Sequence, residues 1–309
     1  MTRILLVGRD GQVGTQLQRT LAPLGEVTAV DRDTCDLTRP EQVRQTVRLV
    51  APQLIINVAA HTAVDQAESE PALAFALNAD GPGLLAEEAR RCGAALVHYS
   101  TDYVFDGRKG EPYVESDPVN PLGVYGRSKL AGERAITATG VPHMILRTSW
   151  VYGLHGRNFL LTMMRLAREK PELRVVADQF GVPNWSATLA GATAEIVRKA
   201  TALGDPVGVL GERGGVYHLS CSGRTSWHRF AVAIVDRLAD LGVTPRLPVV
   251  PIKTEEFPTP AKRPVDSVLD TGRLKRDWGI SLPQWEIALM SCLQEIGRLD
   301  DRSARPVVS

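Results

Sequence analysis

Tyr125 and Lys129 stand four residues apart in "YGRSK". On a helix that spacing puts both side chains on one face. A free phenol titrates near about 10 and a free ammonium near about 10.4. A fixed ammonium favours the phenolate, so the phenol becomes a better proton donor to a developing alkoxide. Many solvated helix faces carry such a pair, so its neighbours decide the reading. "VGRDGQVG", residues 7–14, follows the apolar run "ILLV" and spaces Gly8, Gly11 and Gly14 as G-x-x-G-x-x-G. Glycine permits positive φ and close backbone approach, and a helix N-terminus offers free N–H groups to a pyrophosphate. "HYSTDYVF" places Ser100 and Thr101 at the end of another apolar run. A hydroxyl there could hold a carbonyl oxygen, because parallel sheets put their sites at strand carboxyl ends.

Asp31 in "VTAVDRD" lies about 20 residues past the loop, where an acidic group accepts from ribose hydroxyls. That favours NAD. Arg32 beside it could receive a 2′-phosphate, so NADPH and NADH both stay open. Asp36 in "CDLT" could sit under the adenine or cap the next helix.

These residues need a frame. "RILLVG", "VTAV", "QLIINVAA", "AALVHYS" and "HMILRT" read as strands. Between them, residues 12–22, "EQVRQTVRLV", Pro71 to Arg91 and "GVYGRSKLAGERAI" read as helices, the third as one long helix. Continuous apolar strands with helical crossovers predict a Rossmann-type, doubly wound parallel sheet of the α/β class. Residues 1–150 form the expected dinucleotide-binding domain. Residues 151–309 form a smaller mixed α/β substrate lobe whose segments can return to the sheet. It holds helices at "FLLTMMRLAREK", "SATLAGATAEIVRKATAL" and Ser226 to Leu241, a strand at "GVYHLS" and a Pro-rich stretch from Pro245 to Pro264. The tail "RLDDRSARPVVS" has little to bury and is expected to be loose.

The chain has 309 residues, enough for about two domains. Its net charge of +1 gives no attraction to nucleic acid or to an acidic membrane. Cys35, Cys92, Cys221 and Cys292 form no C-x-x-C pair, so reduced thiols in the cytoplasm are expected. No segment approaches the roughly 18 apolar residues of a membrane span, and the start is too short in apolar residues for a signal peptide.

Together these residues resemble the extended short-chain dehydrogenase/reductase superfamily, and within it the dTDP-4-dehydrorhamnose reductase family. The wording that carries the resemblance is "GQVG", "NVAAHTAVDQAESEP", "HYSTDYVFDG", "NPLGVYGRSKLAGE", "LRTSWVYG", "DQFGVP", "PTPAKRP" and "LPQWE", which runs over residues 11–286. The resemblance implies NAD(P)H-dependent reduction of the C4 ketone of dTDP-4-dehydro-L-rhamnose, with the proton from Tyr125. By the same similarity Gly8, Gly11, Gln12, Val13 and Gly14 hold the cofactor pyrophosphate, and Asp31, Asp36 and Leu37 frame the adenosine. Ala60, His61 and Thr62 lie along the nicotinamide, with Tyr99 nearby, and His61 lines the cofactor instead of acting as a base. Lys129 also bonds the nicotinamide ribose. Thr101 orients the substrate, Asp102 touches the sugar, Trp150 walls its pocket, and Arg263 is a candidate for the dTDP phosphates, against a plain surface arginine.

One departure matters. Some family members dimerise around magnesium held by glutamates, and at the matching positions this chain has Gln16, Ala187 and Glu286. Magnesium prefers anionic oxygen, so no metal site is expected, and a homodimer would do without one. Two readings stay open beside the main one: a reductase of another dTDP-4-keto-6-deoxysugar, and a non-catalytic module like the regulatory subunit of methionine adenosyltransferase.

Overall fold

The structure, a computed structural model, describes residues 1–303, with side chains described through Ile296. The first half alternates strand and helix as β1 (Thr2–Val7), α1 (Gln12–Leu21), β2 (Gly25–Val30), α2 (Pro40–Val50), β3 (Leu54–Asn57), α3 (Val64–Ser69) and α4 (Pro71–Phe75). A π-helical turn, Ala76–Asp80, leads into α5 (Gly81–Cys92), then β4 (Ala95–Thr101), α6 (Val124–Thr139) and β5 (His143–Thr148). The second half contains β6 (Val151–Tyr152), α7 (Phe159–Glu169), β7 (Leu173–Val176), β8 (Phe180–Gly181), β9 (Asn184–Trp185), α8 (Ser186–Leu203) and α9 (Pro206–Arg213). It ends with β10 (Gly215–His218), β11 (Thr225–Ser226), α10 (Trp227–Asp240), β12 (Val249–Ile252), α11 (Gly272–Trp278) and α12 (Trp285–Ser303).

The main sheet has six strands in the order β10-β5-β4-β3-β1-β2. Every pairing in it is parallel, as expected for strands buried on both faces. Side-chain alternation explains why. Ile4 and Leu6 of β1 join one apolar cluster, while Leu5 and Val7 join another across the sheet. Val43 and Val47 of α2 and Leu85 and Ala89 of α5 cover the second face. On the first face α8 packs along α1. Successive strands run outward in opposite directions from β1 and β3. The topological switch point therefore lies between those two strands, at their carboxyl ends.

β10, from the second half of the chain, pairs with β5 as the outer strand. The remaining strands make three short pairs, β6 with β9, β8 with β11 and β7 with β12. The first apolar cluster is continuous from Ile4 and Ile56 through Leu189 to Phe230 and Trp285. It thus joins the sheet to the elements beyond residue 150.

Two expectations need correction, and one segment gains detail. The stretch from Pro71 is not one regular helix, because the π turn interrupts it at Ala76–Asp80. Part of the Pro-rich stretch is ordered as β12 beside β7. The expected loose tail begins inside α12, which continues to Ser303, and its last six residues lie outside the described ones.

A buried ion pair locks α6 to the sheet. Arg147 of β5 donates to both oxygens of Glu133, at 2.9 and 2.6 Å, and Ser100 of β4 donates to the same carboxylate at 2.5 Å. Both charged side chains are only 5% exposed. Removing one partner leaves the other charge buried and unpaired. Glu133→Gln is therefore expected to cost about 3–5 kcal/mol, read as a lower urea midpoint. A midpoint equal to that of the unchanged chain would refute the lock.

Candidate active site

The glycine loop follows from backbone contacts. Gly8 has φ +94°, and a Cβ there would lie 2.7 Å from the amide nitrogen of Ala59. A Cβ on Gly14 would lie 2.0 Å from the Gly8 carbonyl oxygen. The loop thus sits hard against the end of β3 and the first turn of α1, at the switch point. Gly11 opens α1 without a side-chain cap, so the first N–H groups stay available to an anion. Gln12 ties the loop to the chain beyond β5, since its Oε1 accepts from Asn158 at 2.9 Å. Val13 is buried in the core, so only its backbone can face a ligand.

At the end of β2, Asp31 accepts from the Thr34 N–H at 3.0 Å and its hydroxyl at 2.8 Å, and pairs with Arg9. The Thr34 bonds, with Arg9 adding, hold its carboxyl below the usual carboxylate range. Arg32 pairs instead with Asp36 at 3.5 Å. The cation nearest Asp31 is therefore Arg9, from the glycine loop itself, which the sequence reading passed over. Leu37 is buried.

Beyond β3, Asn78 clamps the loop that carries Ala60, His61 and Thr62. Its Oδ1 accepts from the His61 N–H at 2.8 Å, and its Nδ2 donates to the His61 carbonyl at 3.1 Å and to Ser128 Oγ at 3.0 Å. Asn78 sits in the π turn, whose extra residue turns this amide inward. The His61 ring is buried, with no partner for Nδ1 among the described residues.

Strand alternation along β4 sorts the next residues. His98 and Ser100 face α6, and Tyr99 faces α8, where its hydroxyl bonds Thr193 at 2.6 Å. The Tyr99 side chain thus points away from α6, while its backbone stays at the site. What Tyr99 offers the site is its carbonyl, which accepts from Lys129 at 2.7 Å.

α6 comes very close to β4 and the π turn. A Cβ on Gly126 would lie 2.2 Å from the Tyr103 carbonyl oxygen, and one on Gly132 would lie 2.0 Å from that of Asn78. Lys129 is pressed inward, 2% exposed, with Nζ 3.1 Å from His98 Nε2. Burial lowers its pKa to about 8, against the pull of Glu133. The Tyr125 hydroxyl is held at about 12, because burial raises it more than the neighbouring Thr101 hydroxyl lowers it, and Asp102 adds to the rise. The Lys129 amine is turned to His98 and the Tyr99 carbonyl and does not offset that rise. Tyr125 stands as a protonated phenol, edge-on to Tyr103 at 5.7 Å between ring centroids.

Thr101 ends β4 and Asp102 opens the 3-10 turn that follows. Asp102 is 2% exposed and accepts from Ser267 at 2.5 Å and from Thr101 at 3.1 Å. Burial lifts its pKa to about 7, with those two bonds opposing. Trp150 adopts φ +42°, a costly region for a bulky residue. It stacks on Trp227, with ring centroids 3.6 Å apart. Arg263 spends its guanidinium on Asp65, at 3.1 and 2.7 Å, and on the Ala261 carbonyl at 3.1 Å.

Thr101, Asp102, Tyr125 and Lys129 thus meet at the sheet edge that carries the glycine loop. Asn57, Asn78, His98 and Ser267 join them, though sequence reasoning missed all four. An asparagine in an Ala- and Leu-rich helical run and a histidine in an apolar strand were the available signals. Among the described residues no group of three or more His, Cys, Asp or Glu could hold a metal ion.

Comparison with known proteins agrees in extent. The family model described as the RmlD substrate binding domain matches residues 1–298. A dTDP-4-dehydrorhamnose reductase of Burkholderia thailandensis is 46% identical over 301 residues, covering 95% of this chain and 99% of that protein. One of Salmonella typhimurium is 45% identical over 298 residues, covering 95% and 97%. The crystal structure of the Bacillus anthracis dTDP-4-dehydrorhamnose reductase in complex with NADP superposes with a TM-score of 0.86 at 37% identity, covering 95% of this chain and 99% of that one. With the family model matching nearly the whole length and relatives at 45–46% identity, the chain belongs to the dTDP-4-dehydrorhamnose reductase family.

Proposed function

We propose that this chain reduces the C4 ketone of dTDP-4-dehydro-L-rhamnose to dTDP-L-rhamnose with NADPH or NADH. The supporting observation is the Tyr125 hydroxyl beside Thr101 and Asp102, on the sheet edge that carries the glycine loop. The loop fits a dinucleotide, because Gly8 and Gly14 leave no room for side chains and the start of α1 is uncapped. When bound, the dihydronicotinamide supplies the hydride.

Gly8, Gly11, Gln12, Val13 and Gly14 cradle the pyrophosphate through their backbone. Asp31, Asp36 and Leu37 frame the adenosine, and Ala60, His61 and Thr62 line the nicotinamide side. Lys129 holds the ribose. Thr101 orients the ketone, and Tyr125, a protonated phenol at neutral pH, gives its proton to the oxygen. Asp102 meets the sugar, and Trp150, braced by Trp227, walls the pocket. Arg263, already committed to Asp65, fastens the segment that carries it; it is not assigned to the phosphates.

The reaction is proposed for the cytoplasm. The four cysteines form no disulfide, and no described helix is long and apolar enough to cross a membrane. Self-association is proposed to do without magnesium. Gln16 is buried and bonds Arg19, and Ala187 offers no side-chain oxygen, which leaves Glu286 alone.

Tyr125→Phe should lower turnover about 10²–10⁴-fold while NADPH fluorescence titration shows nearly unchanged affinity. Lys129→Met should lower both. An unchanged rate in Tyr125→Phe would remove Tyr125 as the acid. Asp31→Ala should weaken NADH more than NADPH in the same titration, and equal losses would argue against ribose binding. Asp102 keeps its proton to about pH 7 when folded, against 3.8 for a free aspartate. The unfolded chain then binds fewer protons between those values, so stability falls as pH rises from about 4 to about 7 and the penalty stays constant above. Urea midpoints of Asp102→Asn should therefore gain on those of the unchanged chain over this range. A gap that does not vary with pH would refute the assignment.

A further inference from the structure

Lys129 Nζ has two close polar neighbours, the Tyr99 carbonyl oxygen at 2.7 Å and His98 Nε2 at 3.1 Å. The other ring nitrogen, His98 Nδ1, lies 3.1 Å from Asn57 Nδ2. Asn57 and His98 are directly opposed in the β3–β4 register and fully buried. The direction of this chain of bonds is fixed at its far end. The Ala59 N–H donates to Asn57 Oδ1 at 3.0 Å. A backbone N–H can only donate, so the amide oxygen must face Ala59 and the NH₂ must face the imidazole. His98 Nδ1 therefore accepts. A neutral imidazole that accepts at Nδ1 carries its proton at Nε2, and that N–H points at Lys129. An ammonium has three donors and no lone pair, whereas an amine can accept.

We propose that His98, oriented by Asn57, is a positioning residue that depresses the proton affinity of Lys129: the neutral amine accepts from Nε2–H, so that protonating Lys129 must break this contact. Its relevance to catalysis rests on the reading of Lys129 as the partner of Tyr125.

The surroundings agree. Imidazolium at position 98 would set a second donor against Asn57, and burial holds the ring's pKa well below its ordinary value. Glu133, one turn along α6, favours a charged Lys129, but its oxygens are already taken by Arg147 and Ser100. Tyr125, one turn earlier, is an uncharged phenol. Asp102 is bonded to Ser267 and Thr101. β3 presents only the neutral Asn57. Burial, against the pull of Glu133, brings Lys129 down to about 8, and the facing N–H acts in the same direction as burial. Any ligand that brings hydroxyl oxygens to Nζ would supply the acceptors that an ammonium lacks here. The charge on Lys129 is thereby set by what occupies the site.

The test is nitrogen-15 NMR of the histidine rings, with carbon-13 labelling of lysine, on the full chain without ligand. His98 is assigned by the signals lost in His98→Gln and Lys129 by those lost in Lys129→Met. The expected result is a neutral Nε2–H ring at position 98 between about pH 6 and 9. Lys129 is expected to titrate about 100-fold below a free lysine in proton affinity. A glutamine can turn its oxygen toward Nζ, so His98→Gln should raise that midpoint. A ring protonated at Nδ1 with a bare Nε2, or a midpoint unmoved in His98→Gln, would overturn the proposal. If His98→Gln does not fold, Asn57→Asp asks the same question. Its carboxylate accepts from Nδ1–H, so the tautomer should switch, and a ring that stays Nε2–H would count against the mechanism. Neither readout needs turnover or cofactor, so failure here and failure of the proposed reaction are separable.

Discussion

Two glycines on α6 let its backbone touch the chain it faces: Gly126 against the Tyr103 carbonyl and Gly132 against that of Asn78. Tyr125 and Lys129 depend on that closeness, because a side chain at either glycine would push the helix away from the sheet. The approach is held by polar bonds that apolar packing alone would not specify. Ser128 accepts from Asn78 at 3.0 Å, and Glu133 meets Arg147 and Ser100 under the sheet edge. A buried ion pair is a weak source of net stability. Here it fixes the rotation and depth of one helix against β4 and β5.

Burial then governs the chemistry. It is the first cause of the shift at Asp102, at Tyr125 and at Lys129, and in each case it favours the uncharged form. In this pocket the phenol, the lysine amine and the aspartate carboxyl are all shifted toward their uncharged forms. A phenol kept protonated has its proton ready to give, which suits reduction of a ketone.

Much of this was legible in the sequence because the signals are local. The glycine loop, the five strands of the first half and the helix carrying Tyr125 and Lys129 each depend on runs of a few residues. What was not legible depends on three-dimensional context. The π turn around Asn78 reads as plain helix, since its Ala and Leu neighbours suit either form. The direction of Tyr99 follows from which face of β4 meets α6, and the engagement of Arg263 follows from Asp65, far away in sequence. Spacing put Lys129 beside Tyr125, but the partners of its amine, His98 and the Tyr99 carbonyl, come from another strand. α11 and α12 were not read at all: their apolar residues pack against the far end of a shared core.

That shared core bears on how relatives could be recombined. β10 closes the outer edge of the sheet and α8 lies along α1, yet both come after residue 150. A chimera spliced near that point from two homologues would pair a nucleotide half from one parent with a sheet edge and a helical cover from the other. Mismatches in side-chain volume would fall between α1 and α8, behind the glycine loop, and between β5 and β10. Recombining relatives calls for exchange of short surface segments, with the interior left to a single parent.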